Sequence, residues 1–314
     1  MSTILITGGT GLIGKALTEL LTEKGHRVIV LSRHANVARG RPTTGSPEAA
    51  HWDPSTGAID TAALSEADYI VHLAGAGVAD KRWSDKRKKV IEDSRVEGCK
   101  LIVKTLREQP NRVRAVISSS AIGWYGPDPA IPNPSPFEET APPDKDFLGE
   151  TCRRWEEAIA PVEALGKRLV IIRTGIVLSK NGGALQEFMK PIRLGVAAIL
   201  GSGRQAVSWI HIDDLCRIYL HAIEDERWHG PYNGVAPYPV DNRTLTLALA
   251  RRLKGRYFVP VYIPSFLLKI GLGEMSIEVL KSTTVSANKA RSAGFQFLYP
   301  AIEPVLDELT GHSS

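Results

Sequence analysis

Residues 7–14 read Thr-Gly-Gly-Thr-Gly-Leu-Ile-Gly, which places Gly8, Gly11 and Gly14 three residues apart. An apolar β-rich run at residues 4–7 leads into this turn. Behind it Leu12, Ile13, Ala16, Leu17, Leu20 and Leu21 recur at helical spacing until Gly25, a glycine suited to ending a helix. Strand, glycine turn and helix in this order constrain the start of the chain to a dinucleotide-binding unit. The first glycine permits the tight turn, the second leaves bare backbone beside a pyrophosphate, and the third lets the helix pack on the strand. The helix N-terminus then faces the phosphate charge. Thr10, Leu12 and Ile13 share the turn and join the three glycines as expected cofactor contacts.

The end of the second apolar run, residues 27–31, decides which dinucleotide. A site for NAD sets Asp or Glu about 20 residues past the glycines to hold the ribose hydroxyls. Here no acidic residue lies between Glu23 and Glu48, and the run leads into Ser32 and Arg33, with Arg39 and Arg41 behind. A hydroxyl and a guanidinium there suit a 2′-phosphate, which a carboxylate would repel. The expected cofactor is therefore NADP(H).

Further apolar runs at residues 69–73, 115–117 and 169–172 alternate with helical stretches around 86–107 and 150–164. This alternation predicts an α/β fold with a Rossmann-type, doubly wound parallel sheet. Seven prolines between Gly126 and Pro143 exclude helix interior or central strand and predict a long surface loop. Past Thr174 the pattern loosens. The expected division is a dinucleotide-binding domain over 1–178, rejoined by 205–229, and a smaller C-terminal substrate lobe made of 179–204 and 230–314.

A formal charge of +5 on 314 residues is a mild excess, matched to a small anionic ligand and not to nucleic acid. Lys86–Lys89 and Arg251-Arg252 lack interleaved base-stacking aromatics. Cys99, Cys152 and Cys216 are odd in number and widely spaced, and read as free thiols of a reducing compartment. No run of about 18 apolar residues suggests a span. His72 and His211 lie in apolar runs without companions at metal-ligand spacing, and read as structural. The expectation is a cytoplasmic protein with a small-molecule substrate and no nucleic-acid, membrane or metal partner.

The glycine motif, His72-Leu73-Ala74-Gly75, Ser118-Ser119-Ser120-Ala121 and Tyr125-Gly126 together resemble the extended short-chain dehydrogenase/reductases. More narrowly, Lys81-Arg82-Trp83, Ser94-Arg95-Val96, Trp155-Glu156, Arg173-Thr174-Gly175, Gly182-Gly183 and residues 208–214 resemble the atypical epimerase-family subgroup, which carries a C-terminal domain of unknown function. The resemblance implies a sheet of about seven parallel strands. It also implies that Leu73, Ala74 and Gly75 line the middle of the cofactor, that Val177 lies near the nicotinamide, and that Arg95 contacts the cofactor. Ser118 to Ser120 form a hydroxyl-rich strand exit where ligands meet such sheets, and Ser118 is counted with the cofactor contacts.

Enzymes of the extended family that the chain resembles use a serine with a Tyr-x-x-x-Lys pair, the lysine lowering the tyrosine pKa for proton exchange. Ser120 occupies the serine position, but none of the eight tyrosines has a lysine four residues on. The segment that should hold the pair offers Leu148 or Gly149, and Cys152 or Arg153. Tyr125, the phenol nearest Ser120 in sequence, becomes the reserve proton donor. Sugar-nucleotide members place an arginine where this chain has Val207, and valine cannot neutralise a diphosphate. The expected activity is an NADP-dependent oxidoreductase or epimerase acting on a small carbonyl or hydroxyl compound, with a non-catalytic NADP(H)-binding regulator as the rival.

The Arg33 assignment has a direct consequence. NADPH is expected to bind more tightly than NADH, and Arg33→Asp to reverse that order, with the loss of a charge-assisted contact costing about 1.5 to 3 kcal/mol. Calorimetric titration of both variants with both cofactors checks this, and equal affinities of the unmodified protein would refute it.

Overall fold

A computed structural model describes residues 1–33 and 47–311. The arginines at 39 and 41 lie outside the described residues. The glycine turn joins β1 (Thr3–Thr7) to α1 (Leu12–Glu23), and the chain returns through β2 (Arg27–Ser32). There follow β3 (Glu48–Asp53), β4 (Ala58–Ile59), α2 (Thr61–Glu66), β5 (Tyr69–His72) and α3 (Asp85–Glu108). β6 (Ala115–Ala121), α4 (Phe147–Ile159) and β7 (Arg168–Thr174) complete this half. The main sheet runs, from one edge, Gly230–Gly234, β7, β6, β5, β1, β2, β3 and β4. Its first seven strands are parallel, and only the two-residue β4 runs antiparallel.

Alternation along each strand builds two cores, because successive side chains point to opposite faces. Ile4, Ile6, Val28, Val30, Val71 and Ile117 pack with α1 on one face. Leu5, Ile29, Leu31, Ile70 and Val116 pack with α3 and α4 on the other. Both faces are thereby covered, which is why the strands read as continuous apolar runs.

Two strands escape a reading of apolar runs. β3 carries Glu48, His51 and Asp53 among its six residues. The edge strand is Gly-Pro-Tyr-Asn-Gly, tolerable because one of its sides needs no partner. Since Gly230–Gly234 pairs with β7 in register Arg173↔Asn233, the part of the chain that rejoins the main sheet runs past the expected boundary at 229.

The remaining chain contributes α5 (Ala184–Arg193), α6 (Ile212–Glu224) and α7 (Asn242–Lys254). α6 lies against the main sheet, in one cluster with Leu17 and Leu21 of α1. α5, α7 and the helix Ile302–Thr310 enclose a separate core around Leu185, Trp209, Leu245 and Leu306. Buried Asp214 of α6 accepts the backbone N–H groups of Leu298 and Tyr299, both at 2.8 Å, and so pins the C-terminal segment.

The strand order reverses between β1 and β5, which opens a crevice at their carboxyl ends. There the Thr7 hydroxyl accepts the N–H groups of Leu73 and Ala74, each at 3.2 Å, and lies 2.7 Å from His72 Nδ1. With its lone pairs so used, the hydroxyl donates to Nδ1, which puts the ring proton on Nε2. His72 is wholly buried, and burial holds its pKa down at about 4. The folded imidazole therefore stays neutral while the unfolded one takes a proton near pH 6.5. Stability should fall as pH drops from about 6.5 to 4, by about 3 kcal/mol in total. Urea unfolding across that range, compared with His72→Gln, tests the claim; an equal acid slope in both proteins would contradict it.

Candidate functional site

The crevice floor is the glycine turn. Gly8 has φ +71°, and a Cβ on it would stand 2.9 Å from the Leu73 carbonyl carbon and the Ala74 nitrogen. A Cβ on Gly14 would stand 2.2 Å from the Gly8 carbonyl oxygen. Both glycines are thus required by packing alone. Gly11 differs: it is exposed, its φ is −77°, and a Cβ there would meet only Gly8 O at 3.3 Å. A side chain at Gly11 would need the Gly8 carbonyl to give by only a few tenths of an ångström.

α1 starts at Gly11 with no capping side chain and no acid in its first turn. α2, α3 and α4 by contrast carry Asp60, Ser84 and Asp146 as caps. A helix start leaves backbone N–H groups without intrahelical partners and a partial positive charge. Among these four helices α1, where the switch point lies, is the one whose start is left open. Thr10 and Gly11 are exposed there, and half-buried Ile13 packs in one cluster with Leu73 and Val177. The Gly182–Gly183 turn leans on the same spot, since a Cβ on Gly183 would lie 3.1 Å from Leu12 Cδ2.

Gly75 is exposed at the exit of β5, and the Arg95 guanidinium stands 3.2 Å from where its Cβ would be. Arg95 donates to the carbonyls of Ala76 at 3.0 Å and Ile91 at 2.8 Å, and lies 4.9 Å over the Trp155 ring. It has no carboxylate partner among the described residues, and burial lowers its pKa. A partly buried guanidinium without a carboxylate partner, at the strand exit on which the glycine turn packs, favours a bound anion. The switch point, the helix start, Leu73–Gly75, Val177 and Arg95 therefore fit a dinucleotide along the crevice.

Half-buried Ser32 and exposed Arg33 end β2 at the same carboxyl edge. Strand pairing brings up a carboxylate that spacing along the chain does not show. Asp53 ends the neighbouring β3, and its pKa is lowered first by hydrogen bonds from Ser55 and further by the Arg33 charge. Ser118, expected among the cofactor contacts, is 1% exposed, and its hydroxyl donates to the Ser119 carbonyl.

Ser120, Arg173 and Asn233 stand side by side on β6, β7 and the edge strand. The Ser120 hydroxyl donates to Glu156 Oε1 at 2.7 Å. Arg173 grips the same carboxylate with two bonds, both 2.9 Å. A third arm of Arg173 reaches the Tyr125 oxygen at 3.1 Å, and Tyr125 donates to Asn233 Oδ1 at 2.7 Å. The guanidinium also stacks 3.7 Å from the Trp124 ring centre. The two expected catalytic residues thus meet in one network, through partners that the chemistry of the sequence did not single out. Its visible signal was Arg173, a charge set near the end of an apolar run, whereas Glu156 is one of five charged residues on α4 and carried none.

This placement bears on the role expected of Tyr125. Its side chain is fully buried, its hydroxyl is engaged on both sides, and burial pushes its pKa up to about 12. Buried and bonded on both sides, it packs against Phe137 and sits within the Arg173 network. Ser120 is 2% exposed. Where a Tyr-x-x-x-Lys pair would stand, Leu148 and Cys152 lie one turn apart on α4, both near Gly123. Burial pushes the Cys152 thiol up to about 12, so it stays protonated and is no nucleophile at neutral pH.

The profile of the NAD dependent epimerase/dehydratase family matches residues 4–233, and a domain of unknown function, DUF1731, matches residues 263–309. Epimerase family protein YfhF of Bacillus subtilis is 34% identical over 306 residues, spanning 98% of this chain and 97% of that protein. The structure titled human epimerase family protein SDR39U1 (isoform2) with NADPH is 30% identical, with a TM-score of 0.83 over 99% of this chain and all of that one. A Corynebacterium glutamicum structure titled nucleoside-diphosphate sugar epimerase is 33% identical, with a TM-score of 0.77 over 99% of this chain and 58% of that one. With the glycine turn, the parallel sheet and the C-terminal domain all in agreement, the chain belongs to the NAD dependent epimerase/dehydratase family.

Proposed function

We propose that this chain binds NADP(H) in the crevice between β1 and β5 and serves as an oxidoreductase or epimerase on a small carbonyl or hydroxyl compound. The carrying observation is the uncapped, glycine-lined start of α1 at the switch point, where the turn packs on the β5 exit that also holds Arg95 beside Gly75. The relative solved with NADPH supports the phosphorylated cofactor, as do Ser32 and Arg33 at the β2 exit. Asp53 beside Arg33 tempers its charge without removing the guanidinium fork that a 2′-phosphate would take. The bound cofactor supplies a hydride donor or acceptor.

The protein's own residues would orient the pyrophosphate through the backbone N–H groups of the glycine turn and balance its charge with Arg95. Proton movement is the weaker part of the site. Glu156 and Arg173 hold the Ser120 hydroxyl inward, and Leu148 and Cys152 stand where the family's pair would supply a proton donor. A sugar nucleotide is disfavoured, because Val207 is buried and apolar, and Arg204 donates to the Ile131 carbonyl. The buried, unpaired thiols agree with a cytoplasmic setting. The same inward-facing Ser120 favours, as a second reading, a cofactor-binding regulator without turnover.

Two outcomes are expected. Gly11→Val should keep the fold but lose NADPH binding, because its side chain occupies only the ligand's space. Gly14→Ala should instead destabilise the protein by about 1 to 3 kcal/mol through overpacking. Thermal melts and a fluorescence titration separate the two effects, and unchanged NADPH affinity in Gly11→Val would show the phosphate site to be misplaced.

Hydride transfer to aldehydes, ketones or quinones should be slow, since positioned proton transfer is worth about 10² to 10⁴ in rate. Ser120→Ala should lower it further, and Tyr125→Phe should act on stability more than on rate. NADPH oxidation followed by absorbance over pH reads this. Rapid turnover indifferent to Ser120→Ala would place the chemistry elsewhere, and tight binding without any turnover would favour the regulator.

A further inference from the structure

Residues 242–273 hold six of the 39 basic residues of the chain and none of its 34 acidic ones. The formal charge of +5 therefore rests on this stretch, without which the chain would carry an excess of one negative charge. Arg252 pairs with Asp307. Arg251, Lys254, Arg256 and Lys269 have no carboxylate partner among the described residues.

The same stretch is unusually apolar on its surface. The strand Val259–Ile263 pairs only with Val196–Leu200, and α8 (Ser265–Leu272) follows it directly. No residue of α8 is buried. Tyr257 is 74% exposed, Val259 62%, Tyr262 52%, Phe266 60% and Ile270 67%. Of the fifteen large apolar side chains exposed among the described residues, eight lie between Tyr257 and Ile277. A two-stranded ribbon is marginal by itself, and an apolar surface of this kind ordinarily meets a partner.

The patch is held firmly to the rest of the molecule. Glu274 pairs with Lys88 of α3, and buried Lys281 bonds Asp146 at 3.0 Å and Glu278 at 2.9 Å. Gly201 packs against Leu280 and Ser265 so closely that a Cβ on it would stand 2.7 Å from Leu280 Cδ2.

We propose that this surface docks the protein on an anionic lipid bilayer, with Tyr257, Tyr262, Phe266 and Ile270 entering the headgroup boundary and Lys254, Arg256 and Lys269 facing the lipid phosphates. Exposed aromatic and aliphatic side chains sharing one stretch with cations that lack a carboxylate partner are the composition of an interfacial segment. No helix among the described residues is long and apolar enough to cross a membrane, so the chain would lie on the bilayer. The sequence expectation of no membrane partner was drawn from the absence of a span, which does not bear on surface contact.

A second copy of the chain fits this surface less well. A two-fold contact would bring the same unpaired cations together. The open edge is also blocked to another strand: Val259 N–H bonds Gly195 on the inner side, so position 260 faces outward, where proline has no N–H to give. Nucleic acid would satisfy the cations but leave the aliphatic tips unused.

Sedimentation of the full chain with vesicles tests the proposal, using phosphatidylcholine alone and phosphatidylcholine mixed with phosphatidylglycerol. Binding to the mixed vesicles is expected, weakening with salt, and little to phosphatidylcholine alone. Phe266→Ser with Ile270→Ser, and separately Lys254→Glu with Arg256→Glu, should each lower partitioning by about tenfold or more. NADPH affinity, measured alongside, shows that these surface variants are folded and separates this proposal from the cofactor reading. Absence of the unmodified protein from both vesicle pellets would overturn the proposal, and so would partitioning indifferent to both double variants. A stable dimer in ultracentrifugation that Phe266→Ser with Ile270→Ser dissolves would reassign the surface to a second copy.

Discussion

The close approach of the glycine turn to the exit of β5 is the constraint on which the remaining architecture depends. Gly8 lies against the Leu73–Ala74 peptide with no room for a Cβ, and Gly14 lies against Gly8 in the same way. The Thr7 hydroxyl then ties the two strand ends by taking both N–H groups of that peptide region. This contact sets where α1 begins, how deep the crevice is, and where the backbone after β5 can meet a ligand. Arg95 stands so close to Gly75 that a Cβ there would meet its guanidinium at 3.2 Å.

A second constraint lies across the sheet, where Glu156 and Arg173 form a buried ion pair with two parallel bonds. Such pairs add little net stability over apolar packing, but losing one partner costs about 3 to 5 kcal/mol, because the other charge is left buried. The pair imposes order on its neighbours. It draws the Ser120 hydroxyl inward, takes the Tyr125 oxygen, and is walled by Trp124. The β6–β7 side of the sheet is in this way built as an internally satisfied network, while the start of α1 is left with open donors.

Much of the fold was legible in the sequence because it rests on local rules. The β1 turn and α1 follow from glycine spacing and a helical apolar period, and β2, β5, β6 and β7 from short apolar runs that both faces of a covered sheet demand. β3 and the Gly230–Gly234 strand were not legible. Their residues have no strand preference of their own, and they are strands because a neighbour supplies the hydrogen bonds. The same holds for Asp53 beside Arg33, which adjacency of strands creates and distance along the chain conceals.

By itself, the sequence determined the dinucleotide turn, the parallel α/β class and the absence of any Tyr-x-x-x-Lys pair, since each depends on residue identity at short fixed spacing. Only the tertiary structure decided that Ser118 and Tyr125 face inward, that Ser120 is held by Glu156 and Arg173, and that the basic apolar stretch past residue 250 is left uncovered. Those outcomes depend on burial, which is a property of what packs over a residue. The partners that settle burial come from strands and helices tens to hundreds of residues away.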